Sequence, residues 1–386
     1  MEARVEALRR AIPSLTNRVY LNTGTAGPVP LAVQRAMEQQ MARDLAAGRA
    51  GLEAVHESQA CTTAAREAVA GLLGADAGEV VLTHCTTEGV NIVAWSFPWR
   101  PGDEVVTTSL EHPGGIAPFS SAAKRFDLRL RVVDLDDGAG DVVDRVAAAI
   151  TPRTRLVVLS HVAFTTGAIL PVGEVARVAH ERGCLVLVDG AQSVGAFPVD
   201  VRQLDVDFYT VSGQKWLCGP VDTGALYIKR AHLGRLVPAY VGYAGLASWD
   251  QRGSYAHHED ARRFEVGARN LPALAGQTAS IEWTRNEVGL QWAADRSAAL
   301  QERFRAALAT VPGLTIVSPP GALNLLSFTL DGVDAAAIVE RLAEAGIVVR
   351  WVHEPYAVRL SLAWFVTDED IDRVVSTLGT IARSAD

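Results

Sequence analysis

The stretch FYTVSGQKWLCGP, residues 208–220, ends an apolar, β-leaning run in Ser-Gly-Gln and then places Lys215 beside Trp216. The neighbours are poor at keeping an ammonium solvated, and desolvation favours the neutral amine, which can react. Upstream, LVLVDGAQSVG delivers Asp189 at the C-terminal end of a strand-like run that opens into small residues. In open α/β sheets ligands sit beyond such strand ends. An acid and a lysine on two neighbouring strand ends either form an ion pair and nothing more, or flank a flat heteroaromatic cofactor.

Pyridoxal phosphate (PLP) is a cofactor of that kind, and it makes four demands: a lysine amine for its aldehyde, a carboxylate at its ring nitrogen, donors for a phosphate dianion, and something flat against the ring. Each has a candidate. Thr86 and Thr87, in THCTTEG, follow the strand-like EVVLT and open a helical pattern; their hydroxyls and backbone N–H groups suit phosphate. Ser212 and Gln214 sit just before Lys215 and suit it too. His112, in SLEHPGG, follows EVVTT and is placed to stack on the ring, and Gln192 is placed to hydrogen-bond the ring hydroxyl oxygen. Taken singly, each residue has a plainer reading. Lys215 is a solvated lysine, Asp189 a helix N-cap, His112 a turn residue before proline, Thr86 and Thr87 an ordinary helix start, and Arg359 a strand arginine in a surface ion pair. In register with one another, these residues outweigh the plainer readings. The adjacent histidines of AHHED, residues 256–260, read as solvent-facing, and no metal is assigned.

The elements that must position these groups alternate. Apolar runs EVVLTH, DEVVTTSL, LRLRVVDL, RLVVLSHV, CLVLVDG, VDFYTVS and GALYIKR are separated by helical stretches such as 141–150 and 172–182, preceded by amphipathic helices at 31–45 and 56–73. Runs that are apolar almost throughout and alternate with helices predict an α/β sheet covered on both faces. Beyond residue 262 the pattern changes to a long helical stretch at about 271–311, then LTIVSP, LNLLSFTL, a helix near 333–345, GIVVRWV, AVRLSLAW and a last helix from Asp368. The expected organisation is a large α/β domain over 17–262 and a smaller α+β domain over 263–386, with residues 1–16 as a helix packing near the latter. Residues 240–263 read as a long loop, and such loops are often functional.

The chain has 386 residues, 49% of them apolar, with a net charge of −8 and no basic block. That argues against nucleic acid or an anionic membrane as partner. No apolar run is long enough to span a bilayer, and the charged N-terminal pattern lacks the apolar core of a secretion signal, so the expected location is the cytoplasm. The cysteines Cys61, Cys85, Cys184 and Cys218 form no CxxC pair, which fits a reducing compartment.

Three segments in this order, LSHVAFTTGAILPVGEVARVA, VLVDGAQSVGAFPVDV and SGQKWLCGPVDTGALYI, make the chain resemble the class V aminotransferase group of fold-type I PLP enzymes, from VYLNTGTAGPVP to VRLSLAWFVTDEDIDRVV. EHPGG, KWLCGP, RFEV and VRWVHEPYAVRLSLAW look most like cysteine/cystine C–S lyases and isopenicillin N epimerase-like proteins. The resemblance implies a mostly parallel seven-stranded sheet in the large domain, PLP as cofactor, and a homodimer with active sites at the subunit interface. It implies that Lys215 binds the cofactor and moves the α-proton, that Asp189 pairs with the ring nitrogen, and that His112 stacks. Gln192 would lie at the ring oxygen, while Thr86, Thr87, Ser212 and Gln214 hold phosphate. Arg359 would bind the substrate α-carboxylate, with Asn22 and Gly24 close to substrate.

The chain departs from cysteine desulfurases in several places. It has no cysteine after Cys218, so the loop nucleophile of those enzymes is missing. Gln214 stands where they have histidine. Thr165 is the choice for a contact usually made by asparagine, and Arg269 replaces a cross-subunit phosphate contact whose threonine position is Ala268. The implied activity is β-elimination at the C–S bond of a small-molecule amino acid of cysteine or cystine type, giving pyruvate, ammonia and a sulfur product. Epimerisation, transamination or a desulfurase-like reaction are the alternatives.

Overall fold

The large sheet has seven strands: six are buried along almost their whole length and cannot be left half-solvated, while the edge strand Arg129–Val133, with its alternating arginines, is largely exposed. Its order is Val80–Thr83, Gly224–Ile228, Phe208–Ser212, Leu185–Asp189, Thr154–Ser160, Glu104–Thr108 and Arg129–Val133. Gly224–Ile228 runs antiparallel to both its neighbours, and all other pairings are parallel. This is the expected α/β architecture with its mostly parallel seven-stranded sheet. In this computed structural model, residues 2–136 and 140–384 are described; the outer limits 1 and 386 of the domain reading lie outside the described residues.

Alternate residues of each strand feed two cores. Val157, Leu159, Val186, Val188, Tyr209 and Val211 pack on one face, Leu156, Val158, Leu187 and Phe208 on the other. Helices Pro113–Phe126 and Val172–Glu181 are parallel-strand crossovers. Such crossovers put consecutive strand C-termini at the same sheet edge, which is where the candidate residues lie.

A second, antiparallel sheet has the order Leu314–Ile316, Leu325–Leu330, Ala357–Ser361, Arg350–Val352. Helix Glu2–Arg10 and the turn after it bury Leu8, Ile12 and Leu15 among Phe304, Leu326 and Phe328 beneath this sheet. Arg9 donates to the Phe365 carbonyl and to Asp370.

Three sequence expectations change. The helical stretch at 271–311 is two helices, Leu271–Trp283 and Leu290–Leu308, joined by a π-helical turn and broken at Gly289, whose φ of 78° a helix cannot continue. GIVVRWV is two strands: Ile347–Val348 pairs with Val19–Tyr20, and Arg350–Val352 joins the small sheet. The 240–263 loop contains a hairpin, Leu246–Trp249 with Tyr255–His257. Among the described residues no helix is long and apolar enough to cross a membrane.

Candidate active site

Five strands deliver the candidate residues to one edge. Leu185–Asp189 ends on Asp189, which is 5% exposed, and register places Ser160 and Thr210 beside it on the neighbouring strands. Asp189 Oδ1 accepts from the Ala191 amide at 2.9 Å. Phe208–Ser212 ends on buried Ser212, and the turn that follows carries Gln214 and Lys215. Burial pulls the Lys215 amine down to about 8; Asp189 opposes this, while Arg359 and Arg350 add to it. The fold therefore holds the amine of this half-buried lysine among charges of both signs.

Cys85 stands at the N-cap position of the helix Thr86–Ser96 without a side-chain bond to it, with Thr86 buried and Thr87 half-buried in the first turn. A helix N-terminus offers unpaired N–H groups and the positive end of the dipole. His112 caps the helix Pro113–Phe126, its Nδ1 accepting from the Gly114 amide at 3.0 Å. Its ring meets the edge of Phe164, with centroids 4.9 Å apart. The residue is exposed overall, but desolvation of the ring lowers its basicity, and Lys215 lowers it further. Gly114 is required where these two helix starts meet: a Cβ there would stand 2.2 Å from Thr87 Oγ1.

The N-terminal loop reaches the same place. Gln192 Nε2 donates to the Gly24 carbonyl at 2.8 Å, and its Oε1 accepts from Trp216 Nε1 at 2.8 Å. The amide keeps a second N–H to offer. A Cβ on Gly24 would stand 3.0 Å from Gln192 Oε1 and 3.1 Å from the Arg359 guanidinium, so only glycine fits without displacement. Asn22 Oδ1 accepts from Thr25 Oγ1 at 2.8 Å, and Asn22 lines a small cleft with Thr25, Arg350 and Trp351.

Arg359 is 1% exposed. It donates to the Phe164 carbonyl at 2.7 Å and to Thr25 Oγ1 at 3.2 Å, while its Nε has no partner among the described residues. Burial brings the guanidinium down to about 9, and Arg350 adds to the effect. Arg350, absent from the sequence reading, faces Arg359 in the strand register and donates to the same Thr25 hydroxyl at 3.2 Å. Two guanidiniums held together with a buried N–H unspent form a site for anionic oxygen. Thr165 is buried nearby; its carbonyl accepts from Ser327 Oγ at 2.5 Å, and its Oγ1 has no partner among the described residues.

Arg269 is placed differently. It donates to the carbonyls of Leu82 and Thr83 at 3.0 and 2.9 Å, bracing the strand end that leads into the Thr86–Thr87 turn. It also lines a surface cavity with Met41, Asp44, Leu45 and Arg49. Besides Arg350, the sequence reading passed over Glu111, although it stands next to His112. Arg350 looked like an ordinary alternating residue of a strand.

The residues present fit PLP. The lowered Lys215 amine, the Asp189 carboxylate, the Thr86–Thr87 helix start and the unpartnered Arg359 Nε match an aldehyde, a ring nitrogen, a phosphate and a substrate carboxylate. The family model for class-V aminotransferases matches residues 19–374. A probable cysteine desulfurase of Methanothermobacter thermautotrophicus is 33% identical, covering 98% of this chain and 98% of that protein. Two solved structures of the protein C-DES superpose with a TM-score of 0.92 at 30% identity. One, described as a complex of the cystine C–S lyase with its reaction product cysteine persulfide, covers 95% of this chain and 99% of the other. The other is a mutant with glycine covalently linked to the PLP cofactor, covering 96% of this chain and 98% of the other.

Proposed function

Because this chain belongs to the class-V aminotransferase family, we propose that it is a PLP-dependent carbon–sulfur lyase acting on a cysteine- or cystine-type amino acid. The observation that carries this reading is the Lys215 amine, lowered to about 8 and held between Asp189 and the Arg350–Arg359 pair. The names of its relatives supply the C–S bond.

When bound, PLP supplies an aldehyde that condenses with amines and a ring that draws electrons away from Cα. Thr86, Thr87, Ser212 and Gln214 would donate to its phosphate. Asp189 would keep a proton on the ring nitrogen, His112 would lie against the ring, and the second N–H of Gln192 would serve the ring oxygen. The Arg359 fork holds the substrate α-carboxylate, with Asn22, Gly24 and Thr165 close to the substrate. Arg350 takes a second carboxylate, which favours cystine over cysteine. Lys215 Nζ, basic when neutral, removes the Cα proton, and the Cβ–S electron pair then leaves with sulfur. Water converts the unsaturated remainder to pyruvate and ammonia. With no cysteine after Cys218, the chain has no C-terminal loop thiol to take the sulfur as a desulfurase would.

We further propose a cytoplasmic homodimer divided into domains at 17–262 and 263–386, with Arg269 bracing the strand end before the Thr86–Thr87 turn of its own chain beside the subunit seam. Four unpaired cysteines support the compartment. Exposed Met41 and Leu45 beside the Arg269 cavity, with exposed Leu52 and Val55 on the adjoining helix, support the dimer. The test is to mix holoprotein with cystine and with cysteine and assay pyruvate, ammonia and sulfur product. Racemised or transaminated product without pyruvate favours an epimerase or aminotransferase, and alanine with protein-bound sulfur favours a desulfurase.

A further inference from the structure

Glu111 is a buried carboxyl with no part in the chemistry above. It is 8% exposed, one residue before His112. Thr108 Oγ1 donates to its Oε1 at 2.5 Å, and Ser160 Oγ donates to its Oε2 at 2.7 Å. These donors come from the ends of the two strands beside Leu185–Asp189 and its neighbour, so the carboxyl is clamped at the same sheet edge as Asp189. Gly115, in the first turn of Pro113–Phe126, fixes the geometry between the two acids. A Cβ on Gly115 would stand 3.5 Å from Asp189 Oδ2 and 3.8 Å from Glu111 Oε2. Two carboxyls therefore face one point at a helix start, where anionic charge is favoured. Asp189 is the charged group that acts on Glu111, and it resists a second negative charge there. Burial pushes the Glu111 carboxyl up to about 7, Asp189 adds to this, and the two hydroxyls oppose it. Lys215 and the His112 ring, whose basicity is lowered, are the other titratable groups that interact with Asp189.

We propose that Glu111 is a positioning residue: a second carboxyl whose charge state sets how strongly Asp189 holds the proton on the cofactor's ring nitrogen. A lone Asp189 would give the ring a nearly fixed electron demand across neutral pH. With Glu111 beside it, gain of a negative charge raises the proton affinity of every group near Asp189, and loss of that charge lowers it. This rests on the PLP reading above, and the tests separate the two.

Glu111→Gln keeps the shape, and a side-chain amide can still engage both hydroxyls, because a hydroxyl accepts as well as donates. In the reconstituted holoprotein, the pH midpoint of the cofactor's long-wavelength absorbance should fall in Glu111→Gln by about one unit, the size of a unit charge acting across roughly 10 Å in an effective dielectric of about 20. Ser160→Ala leaves the carboxyl in place with one donor fewer to its ionised form, so the midpoint should move in the same direction. The apoprotein gives a second readout. A carboxyl whose folded value lies above its unfolded value contributes stability below about 4.5 that is lost as pH rises to about 7. The melting temperature of Glu111→Gln minus that of the wild type should therefore climb over that window. Cofactor spectra of both variants superimposed on wild type at every pH, with a flat melting difference, overturn the proposal. A wild-type protein that binds no PLP overturns the functional reading instead, and the apoprotein difference still decides the charge state of Glu111.

Discussion

At the scale of single residues, the Lys215 amine and the two guanidiniums near it make the sharpest statements. Burial favours the neutral amine, and Arg359 and Arg350 push the same way. An amine centred at about 8 is mostly protonated at pH 7 and mostly free at pH 9. The rate at which apoprotein captures PLP, followed by stopped-flow absorbance, should thus rise with pH through about 8 and level off above it. A rate still climbing at pH 10, as for an ordinary lysine, would contradict the buried setting. Arg350→Ala should raise the KM for cystine by about 10–100-fold, the loss of one charge-assisted contact of ~1.5–3 kcal/mol. The KM for cysteine, which has no second carboxylate, should change much less in steady-state assays. An equal loss for both substrates would remove Arg350 from substrate binding. Lys215, Asp189 and His112 were legible in the sequence because each follows a strand with unmistakable apolar character. Glu111 and Arg350 were not, because their meaning depends on partners far along the chain: Ser160 for one and Thr25 for the other.

At the scale of elements, close backbone contacts decide whether the site assembles. Gly27 donates its amide to the Gln214 carbonyl at 2.7 Å, and a Cβ there would stand 2.2 Å from the Lys215 carbonyl. The neighbour is backbone and cannot rotate away. Gly27→Ala should destabilise the protein by about 1–3 kcal/mol, as overpacking does, and should shed PLP on dialysis faster than wild type. Unchanged melting and retention would mean that the N-terminal loop is not locked to the lysine turn. The sheet strands and crossover helices were readable from periodicity. The break at Gly289 was not, because apolar residues continue at helical spacing on both sides of it, and only the backbone angle shows the change of direction. The hairpin within 240–263 was hidden for a different reason: its strands are short and largely exposed, so no buried alternation marks them.

At the scale of the whole molecule, the first residues of the chain tie the small sheet to the rest. Ile12 is fully buried in the core that holds Phe304, Leu326 and Leu378. Ile12→Ala should cost about 2–5 kcal/mol in equilibrium denaturation, with the slope of the transition unchanged. A loss under 1 kcal/mol would mean that this segment packs loosely. In the proposed holoprotein, PLP is held by a covalent bond to one amine at the sheet edge. Borohydride reduction of the holoprotein, proteolysis and mass mapping of the peptides test it most directly. A pyridoxyl group on Lys215, absent from Lys215→Ala, is the predicted result; a label on another lysine, or none after incubation with PLP, would contradict it.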